Sequence, residues 1–178
     1  ATTKFPEGGN PMSADRFRIG HGFDVHRFSE KFDPDKPLML GGLEIEEPRS
    51  LLAHSDGDVV LHAVCDAILG AIGEGDIGQH FPDTDEAFAN VASSLLLRQV
   101  LERASGNGWF PVNVDITVIA QAPKLAPYRE AMRVRLADQM GLKASEVNVK
   151  ATTTEGLGFI GREEGIACHC VTLLSSAI

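Results

Sequence analysis

The chain has 178 residues, 43% of them hydrophobic, and a net charge of −9. That composition suits one globular domain with a real core and lacks the basic balance that a nucleic-acid binder needs. Cys65, Cys168 and Cys170 form an odd set without CxxC spacing, so they read as small buried hydrophobes in a reducing compartment, not as a disulfide scaffold or a thiolate zinc site.

Residues 1–16 contain Pro6, Gly8, Gly9 and Pro11 with few apolar side chains, and read as a disordered extension, not a signal or transit peptide. Phe17, Ile19, His21, Phe23 and Val25 share one parity of a first strand, which places Asp24 and His26 together on its other face. Leu38 to Ile45, with Gly41-Gly42 at its centre, predicts a small hairpin near the N-terminus. The clearest helix runs from Asp58 to Gly73, with Asp56 or Asp58 as its cap. A loop with Gly75, Asp76, Gly78, Pro82, Asp83 and Asp85 follows and is too rich in turn formers for regular structure.

A second helix is expected from about Ala89 to Ser105. Val112 to Val118 alternates as a half-buried strand, and Pro123 and Pro127 frame a turn into a third helix ending at Gly141. Val147–Thr153 and Ile166–Leu174 complete the strands. The whole predicts an α+β fold: one four-stranded mixed sheet with helices on one face, within a single domain over 17–178. No apolar run is long enough to span a membrane.

The residues that carry chemistry each have an ordinary reading beside the functional one. Asp24, His26 and His62 are a set that suits a divalent cation with one position left open. His62 alone could equally be a core histidine, with Asp66 four residues on to hold its ring. In His54-Ser55-Asp56-Gly57-Asp58 the serine and aspartates could simply compete to cap the helix, or exposed amides and His54 could receive a phosphate. Asp76 to Asp85 is either a solvated loop or a set of acceptors for sugar or polyol hydroxyls. Thr152-Thr153-Thr154-Glu155 closes a strand, and Glu155 could hold a second cation. Lys124 could cap a loop or meet a phosphate.

Gly20 to His26, the run Ser55 to Ala71, Asp76-Ile77-Gly78, Phe81 to Asp85, Ala120 to Lys124 and Lys150 to Glu155 resemble, in the same order, the motifs of the 2-C-methyl-D-erythritol 2,4-cyclodiphosphate synthase family. The resemblance covers roughly residues 18 to 175 and makes 17–178 a single catalytic domain. It implies that Asp24, His26 and His62 bind zinc, that His54 and Thr153 stabilise the transition state, and that Ser55 contacts phosphate. Val25, with its metal-ligand neighbours Asp24 and His26, also belongs to the substrate site. Asp76, Ile77 and Gly78 would line the ribose side, and Phe81, Pro82, Asp83, Thr84 and Asp85 the methylerythritol hydroxyls. Ala120, Gln121, Ala122, Pro123, Lys124, Leu125 and Ala126 would form a cytosine pocket. Thr152 and Thr154 flank Thr153, and Glu155 would hold magnesium or manganese.

The family reaction cyclises a cytidine-diphosphate-linked methylerythritol 2-phosphate and releases cytidine monophosphate. The resemblance further implies a homotrimer with sites between subunits, and a cytoplasmic location, the plastid stroma being the alternative. Phe159 and Arg162 match an axial channel for an isoprenoid diphosphate, but His169 stands where relatives often carry an acid. No nucleic acid or membrane partner is expected. Two other readings of the same residues are a zinc phosphohydrolase using water and a structural-metal or nucleotide-binding module.

Overall fold

The computed structural model describes residues 16–82, 84 and 90–176. The expected N-terminal extension (all but Arg16), Asp83, Asp85 and the expected helix start at Ala89 lie outside the described residues. In chain order the elements are β1 (Phe17–Arg27), β2 (Met39–Leu40), β3 (Leu43–Glu44), α1 (Val59–Ile72), α2 (Ile77–His80), α3 (Ser93–Gly106), β4 (Trp109–Ile119), α4 (Arg129–Met140), β5 (Val147–Thr152), α5 (Gly158–Gly161) and β6 (Gly165–Ser176). The main sheet is four-stranded in the order β1-β6-β4-β5. β6 is antiparallel to both of its neighbours, and β4 and β5 are parallel, so the sheet is mixed.

Helix α1 lies directly on β1. Its small residues Ala63, Ala67 and Ala71 recur every fourth position and face Gly20 and Gly22. A Cβ added at Gly20 would fall 1.7 Å from the Ala67 carbonyl oxygen, and one at Gly22 would fall 1.9 Å from that of Ala63. Backbone therefore meets backbone, which no larger side chain permits. The rest of α1 supplies core: Leu61, Val64, Ile68 and Leu69 are buried, each stabilising by about 1.5–3 kcal/mol. Cys65, Cys168 and Cys170 are buried in the same cluster.

The apolar row of β1 does not face this core. Gly20, Gly22, Asp24 and His26 are the helix-side residues, whereas Phe17 and Ile19 are 57% and 73% exposed on the open face, with Phe23 and Val25 beside them. Periodicity located the two faces correctly, but the helix needs glycines beneath it, so the apolar parity is the one left uncovered.

The start of α1 is held by Asp58. Its fully buried carboxylate accepts the Val60 and Leu61 amides at 3.1 Å each, and also those of Gly41 and Gly42 at 2.8 and 2.6 Å. Gly41 and Gly42 adopt φ of +64° and +74° in the turn joining β2 to β3, and this turn presents both amides to the one carboxylate. Asp58, not Asp56, is thus the cap, and Gly73 ends the helix in the left-handed region.

Three expectations are corrected. The loop after Gly73 contains the one-turn α2, started by the Asp76 side chain accepting from the Gln79 amide. The glycine-rich turn after Glu155 contains α5. Helix α3 begins at Ser93, not near Ala89, because Asn90 is left-handed and Ala92 is extended. Four-residue helices are too short to show a hydrophobic period.

Substituting Gly22 by Ala is expected to lower stability by about 1–3 kcal/mol or more, measured by urea unfolding. The same change should also carry His62 away from Asp24 and His26, because it pushes α1 away from β1.

Candidate functional site

Asp24 and His26 are successive helix-side residues of β1, and α1 brings His62 against them. The Asp24 Oδ2 atom lies 3.0 Å from His26 Nε2 and 3.1 Å from His62 Nδ1, and those two ring nitrogens are 3.0 Å apart. Among the described residues this is the group of metal-ligating side chains whose donor atoms converge, all within 4.8 Å of one another. Burial works to raise the Asp24 carboxyl, but His26 and His62 outweigh it and hold it well below the usual carboxylate range. Burial likewise works to lower the His62 imidazole, and the Asp24 carboxylate overrides it and raises it. A carboxylate and two imidazoles whose donor atoms share one point need a positive charge there. Either a proton or a divalent cation meets that need, and the N, N, O set suits zinc.

The neighbouring polar residues have separate jobs. Ser55 Oγ lies 3.1 Å and Ser93 Oγ 2.8 Å from His62 Nε2. Asp56 binds the start of α3 through the Ser93 amide at 3.0 Å. Asp66 does not hold the His62 ring: its carboxylate accepts the Ile77 amide at 2.7 Å and so fixes α2 to α1. The amides of Gly57, Asp58, Val60 and Leu61 are taken by Ser55, Asp56 and Asp58 side chains. The helix start therefore serves its own caps, and the phosphate reading rests on the side chains of His54 and Ser55.

A cleft of about 330 Å³ opens over the triad. Of the expected residues it gathers His54, Ser55, Ile77, Gly78 and Phe81 around Asp24, His26 and His62. Leu52, Ala53, Val91 and Leu96 also line it, and nothing in an apolar residue's type or spacing could have marked them. Asp76 does not line it, being turned to Gln79 as the α2 cap. Val25 points to the open face, into a second cleft that also contains Phe159. Pro82 and Thr84 are exposed.

A further cleft, of about 340 Å³, gathers Ala120, Gln121, Pro123, Lys124, Leu125 and Ala126 with Thr152 and Thr153. Sequence reasoning missed Arg129 and Ala151, which also line it. Thr153 Oγ1 meets Glu155 Oε1 at 3.2 Å, and Thr154 Oγ1 donates to the Leu157 carbonyl at 2.6 Å. Glu155 is held at φ +53°, a conformation that non-glycine residues adopt at a cost and that recurs at functional sites. The two clefts are level with each other but far apart. Val25, Ala167, Ile119 and Thr152 form one row across the sheet, and three strand spacings put its ends roughly 14 Å apart. One chain does not bring His54 and Thr153 together.

Arg162 pairs with Glu164 at 2.6 Å. His169 lies beside His21, Nδ1 to Nε2 at 3.0 Å, and packs on Phe23 with ring centres 4.7 Å apart. No helix among the described residues is long and apolar enough to cross a membrane.

The YgbB family model matches residues 17–175. The chain is 55% identical over 161 residues to the 2-C-methyl-D-erythritol 2,4-cyclodiphosphate synthase of Idiomarina loihiensis, covering 90% of this chain and 99% of that protein. It is 57% identical to the synthase of the same name from Pseudomonas savastanoi pv. phaseolicola, with the same coverage. Among solved structures, the IspF of Plasmodium falciparum in its CDP complex matches with a TM-score of 0.79 and 36% identity, over 93% of this chain and 100% of that one. The bifunctional IspDF of Campylobacter jejuni matches with a TM-score of 0.86 and 46% identity over 94% of this chain, which spans 44% of that longer protein.

The triad sets a pH dependence for the metal-free chain. Asp24 is depressed below the ordinary 3.8, so its contribution is complete above that value and is lost as pH falls. His62 is raised above the ordinary 6.5, so its contribution is complete below that value and is lost as pH rises through the raised one. Thermal melts of chelator-treated protein should therefore show greatest stability from this pair between about pH 4 and pH 6.5. Asp24→Asn should flatten the profile.

Proposed function

The chain belongs to the YgbB family, and from that premise we propose that Asp24, His26 and His62 hold zinc while Glu155 holds a second cation, magnesium or manganese, on the substrate diphosphate. The reaction is the cyclisation of 4-diphosphocytidyl-2-C-methyl-D-erythritol 2-phosphate to 2-C-methyl-D-erythritol 2,4-cyclodiphosphate with release of CMP, a lyase step of isoprenoid biosynthesis. The observation that carries the site assignment is the convergence of the three donor atoms at 3.0–3.1 Å.

A 2-phosphate oxygen forms the new bond to the phosphorus that bears the 4-oxygen of methylerythritol. The bond that breaks joins that phosphorus to the bridging oxygen, which leaves with CMP. The nucleophile is already anionic near neutral pH and needs no strong base. Its difficulty is approaching a like-charged group, so the work is positioning and charge neutralisation. A divalent ion at the triad supplies that neutralisation when bound. His54 and Ser55, at the wall of the same cleft, hold phosphate oxygens and take up charge as the new bond forms. Ile77 and Gly78, in the wall of that cleft, take the ribose side and Phe81 the methylerythritol side, where Pro82, Asp83, Thr84 and Asp85 are the proposed contacts to the polyol hydroxyls. Glu155, beside the Thr153 hydroxyl, is a hard oxygen ligand suited to an ion that shares phosphate oxygens.

The cytidine end is assigned to the cleft of Ala120 to Ala126, where Lys124 and Arg129 add positive charge and Thr153 faces the diphosphate. Because this cleft stands at the opposite sheet edge from the triad, we assign the complete site to two neighbouring subunits of a homotrimer. The uncovered apolar strip of Phe17, Ile19, Phe23 and Val171 supports that assembly. An isoprenoid diphosphate on its axis would have to draw Arg162 from Glu164. The curated relatives are bacterial, which supports a cytoplasmic location over the plastid stroma.

With zinc and magnesium, the purified protein should convert the substrate to cyclic diphosphate and CMP, and His62→Ala should lower kcat at least about 100-fold. A linear, ring-opened main product would instead support a hydrolase. Ile19→Lys should break the trimer into monomers, read by light scattering, with loss of turnover but retention of zinc by each chain.

A further inference from the structure

We propose that Ser93 and Asp56 are positioning residues that lock His62 in one tautomer, with the proton on Nε2 and the Nδ1 lone pair aimed at the metal position. This rests on the metal reading of Asp24, His26 and His62 and adds to it the device that orients one ligand. Ser93 is fully buried at the start of α3 and Asp56 stands in the loop before α1, so the device joins segments 37 residues apart.

The directions of the hydrogen bonds fix the tautomer. A hydroxyl has one proton to give, and a carboxylate only accepts. Ser93 Oγ donates its proton to Asp56 Oδ1. Towards His62 Nε2, 2.8 Å away, it is left able only to accept, so Nε2 must carry the hydrogen. Asp56 is itself held in place, accepting the Ser93 amide at 3.0 Å and the Asp58 amide at 3.2 Å. Ser55 Oγ, 3.1 Å from the same ring nitrogen, accepts the Gly57 amide at 3.2 Å and keeps a second lone pair able to accept from Nε2.

With Nε2 protonated, His62 turns its Nδ1 towards the point it shares with Asp24 Oδ2 and His26 Nε2, 3.1 and 3.0 Å away, and once the proton there is given up the Nδ1 lone pair is free for a cation. That is the state a cation requires, and outer partners of this kind raise ligand basicity and fix ring orientation. The opposite tautomer would put its Nδ1 hydrogen where the ion belongs and would leave Nε2 facing an acceptor. A carboxylate–serine–histidine relay thus makes the geometry of the start of α3 a condition for metal affinity.

The test is zinc titration of metal-free protein against a competing chelator, with thermal unfolding measured in parallel. Ser93→Ala and Asp56→Asn are each expected to weaken zinc binding about 10- to 100-fold. Val100→Ala, a core truncation in the same helix away from His62, should lower stability without changing zinc affinity. Heteronuclear NMR of histidine-labelled, metal-free protein at alkaline pH should show the wild-type His62 protonated on Nε2 and a tautomer mixture in Ser93→Ala. If Ser93→Ala keeps both the wild-type affinity and the single tautomer, or if Val100→Ala weakens zinc equally, the relay is overturned. Failure of the unsubstituted protein to bind zinc would instead overturn the metal reading on which it rests.

Discussion

The contact between α1 and β1 sets the rest of the molecule. Gly20 and Gly22 leave no side chain between strand and helix, and Ala63, Ala67 and Ala71 bring the smallest possible surface to meet them. The helix therefore lies a backbone's width from the strand. At any ordinary packing distance, His62 would stand several ångströms from Asp24 and His26, and the three donor atoms would not share a point. The glycines that look like mere punctuation in the sequence are what make a metal centre geometrically possible.

That close approach has a cost on the other side of the sheet. Because the helix-side positions of β1 are occupied by glycine, aspartate and histidine, the strand's apolar content falls on the opposite face. Phe17, Ile19, Phe23 and Val25 are thereby exposed, beside Val171 of β6. On β4 and β5 the same face is polar, with Lys150 and Asp115 paired at 2.5 Å. An open face that is apolar along one edge and charged along the other favours a directed, edge-to-edge association over random sticking. The same edges carry the two clefts, and the proposed homotrimer rests on that arrangement.

Around the metal position, polar groups are arranged in layers. Asp58 gathers four amides and fastens the β2–β3 turn to the helix start. Asp66 holds α2 over the cleft, and Asp56 with Ser93 bears on the far side of the His62 ring. Three aspartates at positions 56, 58 and 66 thus serve three different segments. Their crowding is explained by the number of chain ends that meet there.

Much of this was legible without coordinates. Alternation put Asp24 and His26 on one face, apolar periodicity with Asp58 and Gly73 bounded α1, and the ordered motifs pointed to the family. What local pattern left undetermined was any feature set by partners distant in the chain. The one-turn helices α2 and α5 have too few residues to show a period, and Asp66 looked like a partner for His62 until the fold offered it the Ile77 amide. The choice between capping and phosphate binding at Asp56 and Asp58 depended on which amides remained free. Sequence by itself determined the ligand types, the strand and helix that carry them, and the chemistry they favour, because those depend on residue identity and short-range spacing. Tertiary structure alone decided that the glycine parity of β1 faces the helix, that Ser93 meets His62, and that the two clefts stand at opposite edges of the sheet. Those outcomes depend on how closely two backbones can pack, which no single segment contains.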